Sequence, residues 1–367
     1  MKFRPLLSFD IGSLFGAKRD LLGLDIGSSA IKLVQMKQAR GNYLLQKFGI
    51  QPLEPEVIVD GTVMDSGRVV SAIKELIGEH NVKLKNVAMS ISGHSVIVKK
   101  INLPPLPDEE LEGQVRLAAE QYIPFDINEV NIDFHILNPN EQSDDGQSQM
   151  SLLLVAAKKD KVTELSELVK TAGLNPVILD VDAFAIENMY GINYPPSPED
   201  IVALVNIGAS VMNVNIVKGE TSLLTRDISI GGNRYTEAIQ REMGVPYEEA
   251  EAAKKGERRE GIDAEAVASV IDGVHAEISS EIARSVDYLK TTYPDQEVNK
   301  LLLCGGCAKL EGLAQQLTDR LGVPVMVANP FKQIETSSCD VKRETLAELA
   351  PLAAVSVGLA MRRIGDR

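Results

Sequence analysis

The chain of 367 residues contains no tryptophan, only 4% aromatic residues and three cysteines, and its 38 Lys and Arg are outnumbered by 52 Asp and Glu. Each scarcity excludes something. A net charge of −14 repels phosphate backbones and anionic head groups on average, and few rings are available to stack on bases, so nucleic acid is not the expected partner. Three cysteines cannot close a disulfide framework, which points to a reducing compartment, the cytosol. No segment approaches the ~18 consecutive apolar residues of a membrane span. The N-terminus lacks the basic, apolar and small-residue layout of a signal peptide, so a protein that is not exported is expected. Residues 1–20 (MKFRPLLSFDIGSLFGAKRD) mix apolar and basic residues. A loosely docked leader is expected there rather than a surface-seeking helix, because Pro5, Gly12 and Gly16 interrupt any long helix.

What is present is globular: 44% hydrophobic and 25% charged residues, over a length that suits two or three lobes with their own cores. An internal repeat orders them. Leu22–Val34 reads LGLDIGSSAIKLV and Leu204–Ile216 reads LVNIGASVMNVNI, about half a chain apart. Asp25, Ile26, Gly27 and Ser29 fall against Asn206, Ile207, Gly208 and Ser210. In each copy an apolar run, a small-residue reversal and a period-two alternation predict a β-hairpin. Two hairpins at the starts of two halves imply two lobes with a cleft between them.

The intervening segments read as layered α/β structure. Ser66–Glu79 places Val69, Val70, Ile73, Leu76 and Ile77 on one helical face, followed by strands over Asn86–Ser92 and Val96–Leu103 around a Gly93-His94 turn. Leu103–Asp108 (LPPLPD) is a stiff breaker, after which Asp108 caps a helix to about Tyr122, ended by Pro124. Strands at Asn131–Leu137 and Met150–Lys158 flank a polar loop over Asn138–Gln149, and a helix at Lys161–Ala172 closes a small αβ unit. The strand Val177–Asp180 and a helix Ala183–Tyr190 lead to the linker Pro195–Asp200. The second half holds the second hairpin, the Gly231-Gly232 turn, a charged helix Tyr247–Lys255, a long helix Ala264–Tyr293, the strand Lys300–Leu303, the Gly305-Gly306 turn and a helix Lys309–Leu321. Leu346–Arg363 suits a packed core helix.

Turns of small residues aim backbone N–H groups at anions, and Ser hydroxyls add donors without bulk. Two such turns facing each other can hold a polyphosphate, with Asp25 placed for a hydrated Mg²⁺ and Lys32 supplying positive charge. The Gly305-Gly306 turn, between strand and helix, lets bare backbone approach a flat ring such as adenine. Cys304 and Cys307 frame that turn as C-x-x-C; they are read as buried thiols rather than a redox or zinc motif, since Cys339, His80, His94, His135 and His275 offer no second ligand pair.

In this order the motifs resemble the actin-like ATPase superfamily: two phosphate hairpins and an adenosine GG turn. Gly231–Gly256 is similar to the branch of cell-division FtsA and pilus-assembly PilM proteins, with Gly231, Gly232, Thr236, Ile239, Ala250, Glu251, Lys254 and Gly256 at matching places. Val96–Val130 (with VKKINLPPLP and EQYIPFDINEV) resembles the PilM side. The resemblance covers Leu21–Arg363. It implies an α/β, actin-like (ribonuclease H-like) two-lobed fold with an inserted αβ subdomain. The expected division is a leader at 1–20, a first lobe at 21–93, 175–200 and 340–367, the insert at 94–174, and a second lobe at 201–339 whose helical outer part is 232–300.

The resemblance further implies ATP and Mg²⁺ as cofactors. Gly27, Ser28, Ser29 and Lys32 would contact the β- and γ-phosphates, Asp25 the hydrated Mg²⁺, and Gly208, Ala209 and Ser210 would close from the other lobe. Gly305 and Gly306 would border adenine and ribose, with Gly232 and Lys254 nearby. Where hydrolytic relatives begin the second hairpin with Asp, this chain has Asn206, which adds no charge; Asp180 or Asp182 is the candidate for the missing carboxylate. Catalytic positions are thus Asp25, Asn206 and Asp182, with ATP bound and hydrolysed slowly or not at all. The implied partner is the N-terminal cytoplasmic tail of a PilN-like inner-membrane protein, held in a groove beside the insert; pilus motor ATPases and self-association are further expectations. With only four residues after Arg363, the terminal membrane-targeting helix of FtsA proteins is not expected, so the membrane is reached through the partner. An FtsA-like division scaffold and an actin-fold small-molecule kinase are the rival readings.

Overall fold

The computed structural model describes residues 20–39, 41–142 and 146–366; the leader expected at 1–20 lies, except for Asp20, outside them. In chain order, β1 (Leu22–Ile26), β2 (Ala30–Ala39) and β3 (Asn42–Pro52) are followed by the short strands β4 (Ile58–Val59) and β5 (Thr62–Val63), α1 (Ser66–Glu79) and β6 (Asn86–Ile91). A 3₁₀ turn at Gly93–Ser95 leads to β7 (Val96–Leu103), α2 (Asp108–Ala119), β8 (Val130–Gln142) and β9 (Ser148–Lys158). Next come α3 (Lys159–Thr171), β10 (Asn175–Val181) and α4 (Asp182–Asn193). The second half runs β11 (Ile201–Ile207), β12 (Met212–Lys218), β13 (Thr221–Ile228), α5 (Gly232–Met243), α6 (Tyr247–Lys254), α7 (Ala264–Thr292) and β14 (Lys300–Cys304). It closes with α8 (Leu313–Leu321), β15 (Val325–Val327), β16 (Ile334–Glu335), α9 (Arg343–Leu349) and α10 (Ala354–Ala360).

Two large sheets repeat one plan. One has the order β10-β6-β1-β2-β3-β16, the other β13-β12-β11-β14-β15. In each, three antiparallel strands (β1-β2-β3 and β11-β12-β13) are extended by a strand parallel to the first, β6 or β14. The similarity between the two hairpin sequences is therefore a similarity of whole lobes. Both hairpins turn toward the space between the sheets.

A third sheet, β7-β9-β8, forms a middle layer, and the alternation of β9 shows why its run SLLLVAA is apolar on both faces. Leu152, Leu154 and Ala156 pack with Leu111, Val115 and Ala119 of α2, whereas Leu153, Val155 and Ala157 join the first-lobe core. α3 also belongs to that core, through Val162, Leu165, Leu168 and Val169. α2 thus covers one face of the small sheet, and the Lys161–Ala172 helix that the sequence assigned to the αβ unit packs in the first-lobe core on the other.

Other elements differ from expectation for physical reasons. The polar segment 138–149 is mostly strand: β8 and β9 continue to Glu141↔Gln149 and Gln142↔Ser148, because hairpin pairing needs no burial of side chains. Pro107, not Asp108, stands at the N-cap of α2, which stops at Ala119. The helix expected from Lys309 begins at Leu313, after a 3₁₀ turn over Gly306–Lys309 and Gly312 at φ +86°. Leu346–Arg363 is not one helix but α9, a 3₁₀ turn at Ala350–Ala353 and α10, broken where Pro351 supplies no N–H.

Every residue of α10 is buried. It lies on β1 and α4 so closely that a Cβ on Gly358 would sit 1.7 Å from the Ala185 carbonyl oxygen, and one on Gly23 would sit 2.1 Å from that of Ser356. Behind it, Asp180 and Arg362 form a fully buried ion pair at 3.1 Å.

Candidate functional site

The two hairpin turns, the Gly231-Gly232 turn and the Gly305-Gly306 turn meet on one cleft of about 1750 Å³, and every residue singled out from the sequence for the cleft lines it except Asp180. Asp25, Gly27, Ser28, Ser29 and Lys32 come from the first lobe, Asn206, Gly208, Ala209 and Ser210 from the second hairpin. Gly232, Lys254, Gly305 and Gly306 form the far wall, and Asp182 enters from the start of α4. The wall carries eight Lys and Arg against eight Asp and Glu, so a chain of net charge −14 presents a locally neutral cleft.

Strand register explains the first hairpin. Asp25 and Lys32 are direct cross-strand partners, and their side chains pair at 3.2 Å with 13% and 14% exposure. Gly27 makes room for this: a Cβ there would lie 2.7 Å from Lys32 Nζ. The Gly27 N–H closes its turn on the Ala30 carbonyl at 3.2 Å, and the Gly208 N–H closes the second on Val211 at 3.0 Å. These two donors are spent. The N–H groups of Ser28, Ser29, Ala209 and Ser210 have no acceptor among the described residues, which leaves two pairs of backbone donors at the cleft, the arrangement that suits a polyphosphate.

The far wall is stitched to the second hairpin. Gly232 N–H donates to Gly208 O and Asn233 N–H to Ala209 O, both at 2.8 Å. A Cβ on Gly231 would meet Gly208 O at 2.5 Å. Gly305, at φ +88°, would with a Cβ meet Ile207 O at 2.3 Å and Asn206 Oδ1 at 2.7 Å. Its glycine is therefore required by the protein's own packing, whereas Gly306 faces open space. Lys254 is not a free cation: it pairs with Glu251 and donates to Thr236 Oγ1 at 3.0 Å and Gly232 O at 3.3 Å. Burial alone would raise the Glu251 carboxyl, but Lys254, Thr236 and Lys255 outweigh it and hold it below the usual range.

The structure also separates the two candidate carboxylates. Asp180 is buried against Arg362 and away from the cleft. Asp182 lines it, pushed up to about 7 by burial and by the neighbouring Asp25 charge against hydrogen bonds from Ser90 and Ser92. Asn206 donates through Nδ2 to Asn213 Oδ1 at 2.9 Å. Sequence reasoning missed Asn213, although two asparagines alternating within the apolar strand MNVNIV were a legible signal of a buried polar row.

Cys304 and Cys307 are free buried thiols donating toward Val205 O and Gly208 O. Burial pushes the Cys307 thiol up to about 12 and raises Cys304 as well, so neither is a thiolate nucleophile at neutral pH. Treatment of the folded protein with iodoacetamide at pH 8 should label the partly exposed Cys339 and leave these two untouched; peptide mass spectrometry showing early labelling of Cys307 would contradict this. His275 is likewise structural, bonded to Tyr235 Oη at 2.7 Å and the Glu311 carbonyl at 2.9 Å.

A sequence profile of the family described as type IV pilus assembly protein PilM matches residues 23–364. A chain of the solved PilM-PilN type IV pilus biogenesis complex is similar at 31% identity and TM-score 0.83, over 95% of this chain and 99% of that one. The ethanolamine utilization protein EutJ from Carboxydothermus hydrogenoformans aligns at 18% identity and TM-score 0.56, over 97% of this chain and 94% of its own. MreB5 of Spiroplasma citri bound to ADP aligns at 14% identity and TM-score 0.51, over 93% and 94%. The architecture is the two-lobed actin-like fold.

Proposed function

The chain belongs to the type IV pilus assembly protein PilM family, and on that premise we propose that it is a nucleotide-binding adaptor of type IV pilus biogenesis. Its partner in this reading is the N-terminal cytoplasmic tail of a PilN-like inner-membrane protein. The single observation that carries it is the similarity, over nearly the whole of both chains, to the PilM-PilN complex. Among the described residues no helix is long and apolar enough to cross a membrane, so attachment to the inner membrane is assigned to the partner. Further contacts with pilus motor ATPases and with a second copy belong to the same proposal.

The cleft supports ATP as the nucleotide. Ser28, Ser29, Ala209 and Ser210 would offer their unspent N–H groups to phosphate oxygens from both lobes, and Lys32 would balance their charge. Asp25 would hold Mg²⁺ through water, and the ion would neutralise phosphate charge. Gly306 and Gly232 would border the adenosine, with Lys254 holding the corner between α5 and α6. Asn206 accepts or donates but adds no charge, and Asp182, poised near neutrality, is the carboxyl closest in role to a water-orienting group. Slow or negligible turnover follows; fast Mg²⁺-dependent phosphate release that Asp25→Ala abolishes would overturn that part.

The tail peptide is assigned to the insert, which carries the exposed Leu117 and Tyr122 and the half-buried Phe125, Ile132 and Phe134. An extended peptide can lay alternate side chains into such a surface. Titration of a PilN-type N-terminal peptide into the apo and Mg-ATP forms should show binding in at least one of them. Absence of binding in both would sink the adaptor reading.

A further inference from the structure

Asn206, Asn213 and Asp227 stand at one level on the adjacent strands β11, β12 and β13, each the cross-strand partner of the next. Their side chains form a row: Asn206 Nδ2 donates to Asn213 Oδ1 at 2.9 Å, and Asn213 Nδ2 donates to Asp227 Oδ1 at 2.8 Å. The other Asp227 oxygen accepts the Gly93 N–H at 2.5 Å. Gly93 opens the 3₁₀ turn that joins β6 of the first lobe to β7 of the small sheet, and its neighbour His94 meets Ser229 of the second lobe at 2.7 Å. Asp227 does not line the cleft, whereas Asn206 and Asn213 do.

The chemistry of the row gives it a direction. An amide side chain can face either way, but a carboxylate only accepts; burial raises the Asp227 carboxyl, and the hydrogen bonds it accepts from Asn213 and from the Gly93 N–H act against that and favour the charged form. With Asp227 at its end, Asn213 must turn its NH₂ toward Asp227 and its oxygen toward Asn206; Asn206 must then give up its NH₂ and keep Oδ1 for the cleft. We propose that Asp227 is a positioning residue: it fixes Asn206 as a hydrogen-bond acceptor toward metal-bound water and, through Gly93, ties that orientation to the root of the small sheet. This rests on the nucleotide reading of the cleft. It connects the nucleotide site to the insert assigned to the peptide by one side chain.

Asp227→Asn tests it because the neutral amide has one oxygen where the carboxylate used two. If that oxygen stays on Gly93, the row reverses and Asn206 presents NH₂ to the cleft; if it stays on Asn213, an NH₂ faces the Gly93 N–H. One of two readouts must therefore move. The gain in ATP affinity on adding Mg²⁺, measured by titration calorimetry with and without EDTA, falls about tenfold, the size of one hydrogen bond to a charged group. Otherwise, amide exchange over residues 93–95 loses its protection. The double variant Asn213→Asp with Asp227→Asn moves the carboxylate one strand inward, keeps the net charge and satisfies every contact again, so it should restore both readouts. The proposal is overturned if Asp227→Asn leaves both unchanged, or if the double variant is no better than the single one. If the unaltered protein binds no ATP with or without Mg²⁺, the nucleotide reading itself fails and takes this proposal with it.

Discussion

Gly358→Ala is expected to destabilise the protein by about 3 kcal/mol or more, because the added carbon has nowhere to go. It would sit 1.7 Å from the Ala185 oxygen and 2.4 Å from its carbonyl carbon, atoms of a buried helix backbone rather than a flexible side chain. Relief requires α10 to move off α4, which loosens contacts along a helix whose every residue is buried. Overpacking a core usually costs 1–3 kcal/mol, and backbone against backbone is the severe end of that range. Gly113→Ala provides the control: that glycine lies exposed within α2 with nothing within 4 Å of a new Cβ, so the change should be neutral or stabilise by about 0.5–1 kcal/mol through helix propensity. Denaturant unfolding should show a lowered midpoint for Gly358→Ala and an unchanged or raised one for Gly113→Ala. Equal midpoints would refute the packing argument.

Asp25 and Lys32 should give opposite signatures in nucleotide binding. Removing Lys32 leaves Asp25 without its 3.2 Å partner and tips a neutral cleft toward negative, so Lys32→Ala should weaken Mg-free ATP about 10- to 100-fold, which is about 1.4–2.7 kcal/mol. Asp25→Ala frees Lys32 and removes a negative charge from the cleft. Affinity for Mg-free ATP should hold or improve, while the gain from Mg²⁺ disappears. Calorimetric titrations with Mg²⁺ or EDTA distinguish the two, and matching losses in both variants would mean that the pair acts only as a structural ion pair.

The helix α1 was legible because five apolar positions share one face, and Val69, Val70, Ile73 and Leu76 are buried as that pattern requires. The glycine turns were legible for a related reason: few residue types allow so tight an approach, so the motif and the geometry coincide. Two kinds of feature escaped. Polar residues at 138–149 read as loop because composition reports solvent exposure, while strand pairing is a property of the backbone. α3 was legible as the helix that follows β9, but not that its apolar face joins the first-lobe core together with Leu153, Val155 and Ala157 of β9, a placement set by what lies opposite.

The amino-acid sequence alone determined that this is an acidic, two-lobed α/β chain with a repeated hairpin, and it placed the cleft residues, since hydrophobic rhythm and small-residue turns act locally. The tertiary structure decided which chemistry each residue has available. It paired Asp180 with Arg362 and left Asp182 at the cleft, bound Lys254 to Glu251, and set the scarce positive charge around the cleft so that the acidic surplus falls elsewhere. Those outcomes depend on distance and burial between residues far apart in the chain, where ion pairing and desolvation act, and no local pattern records them.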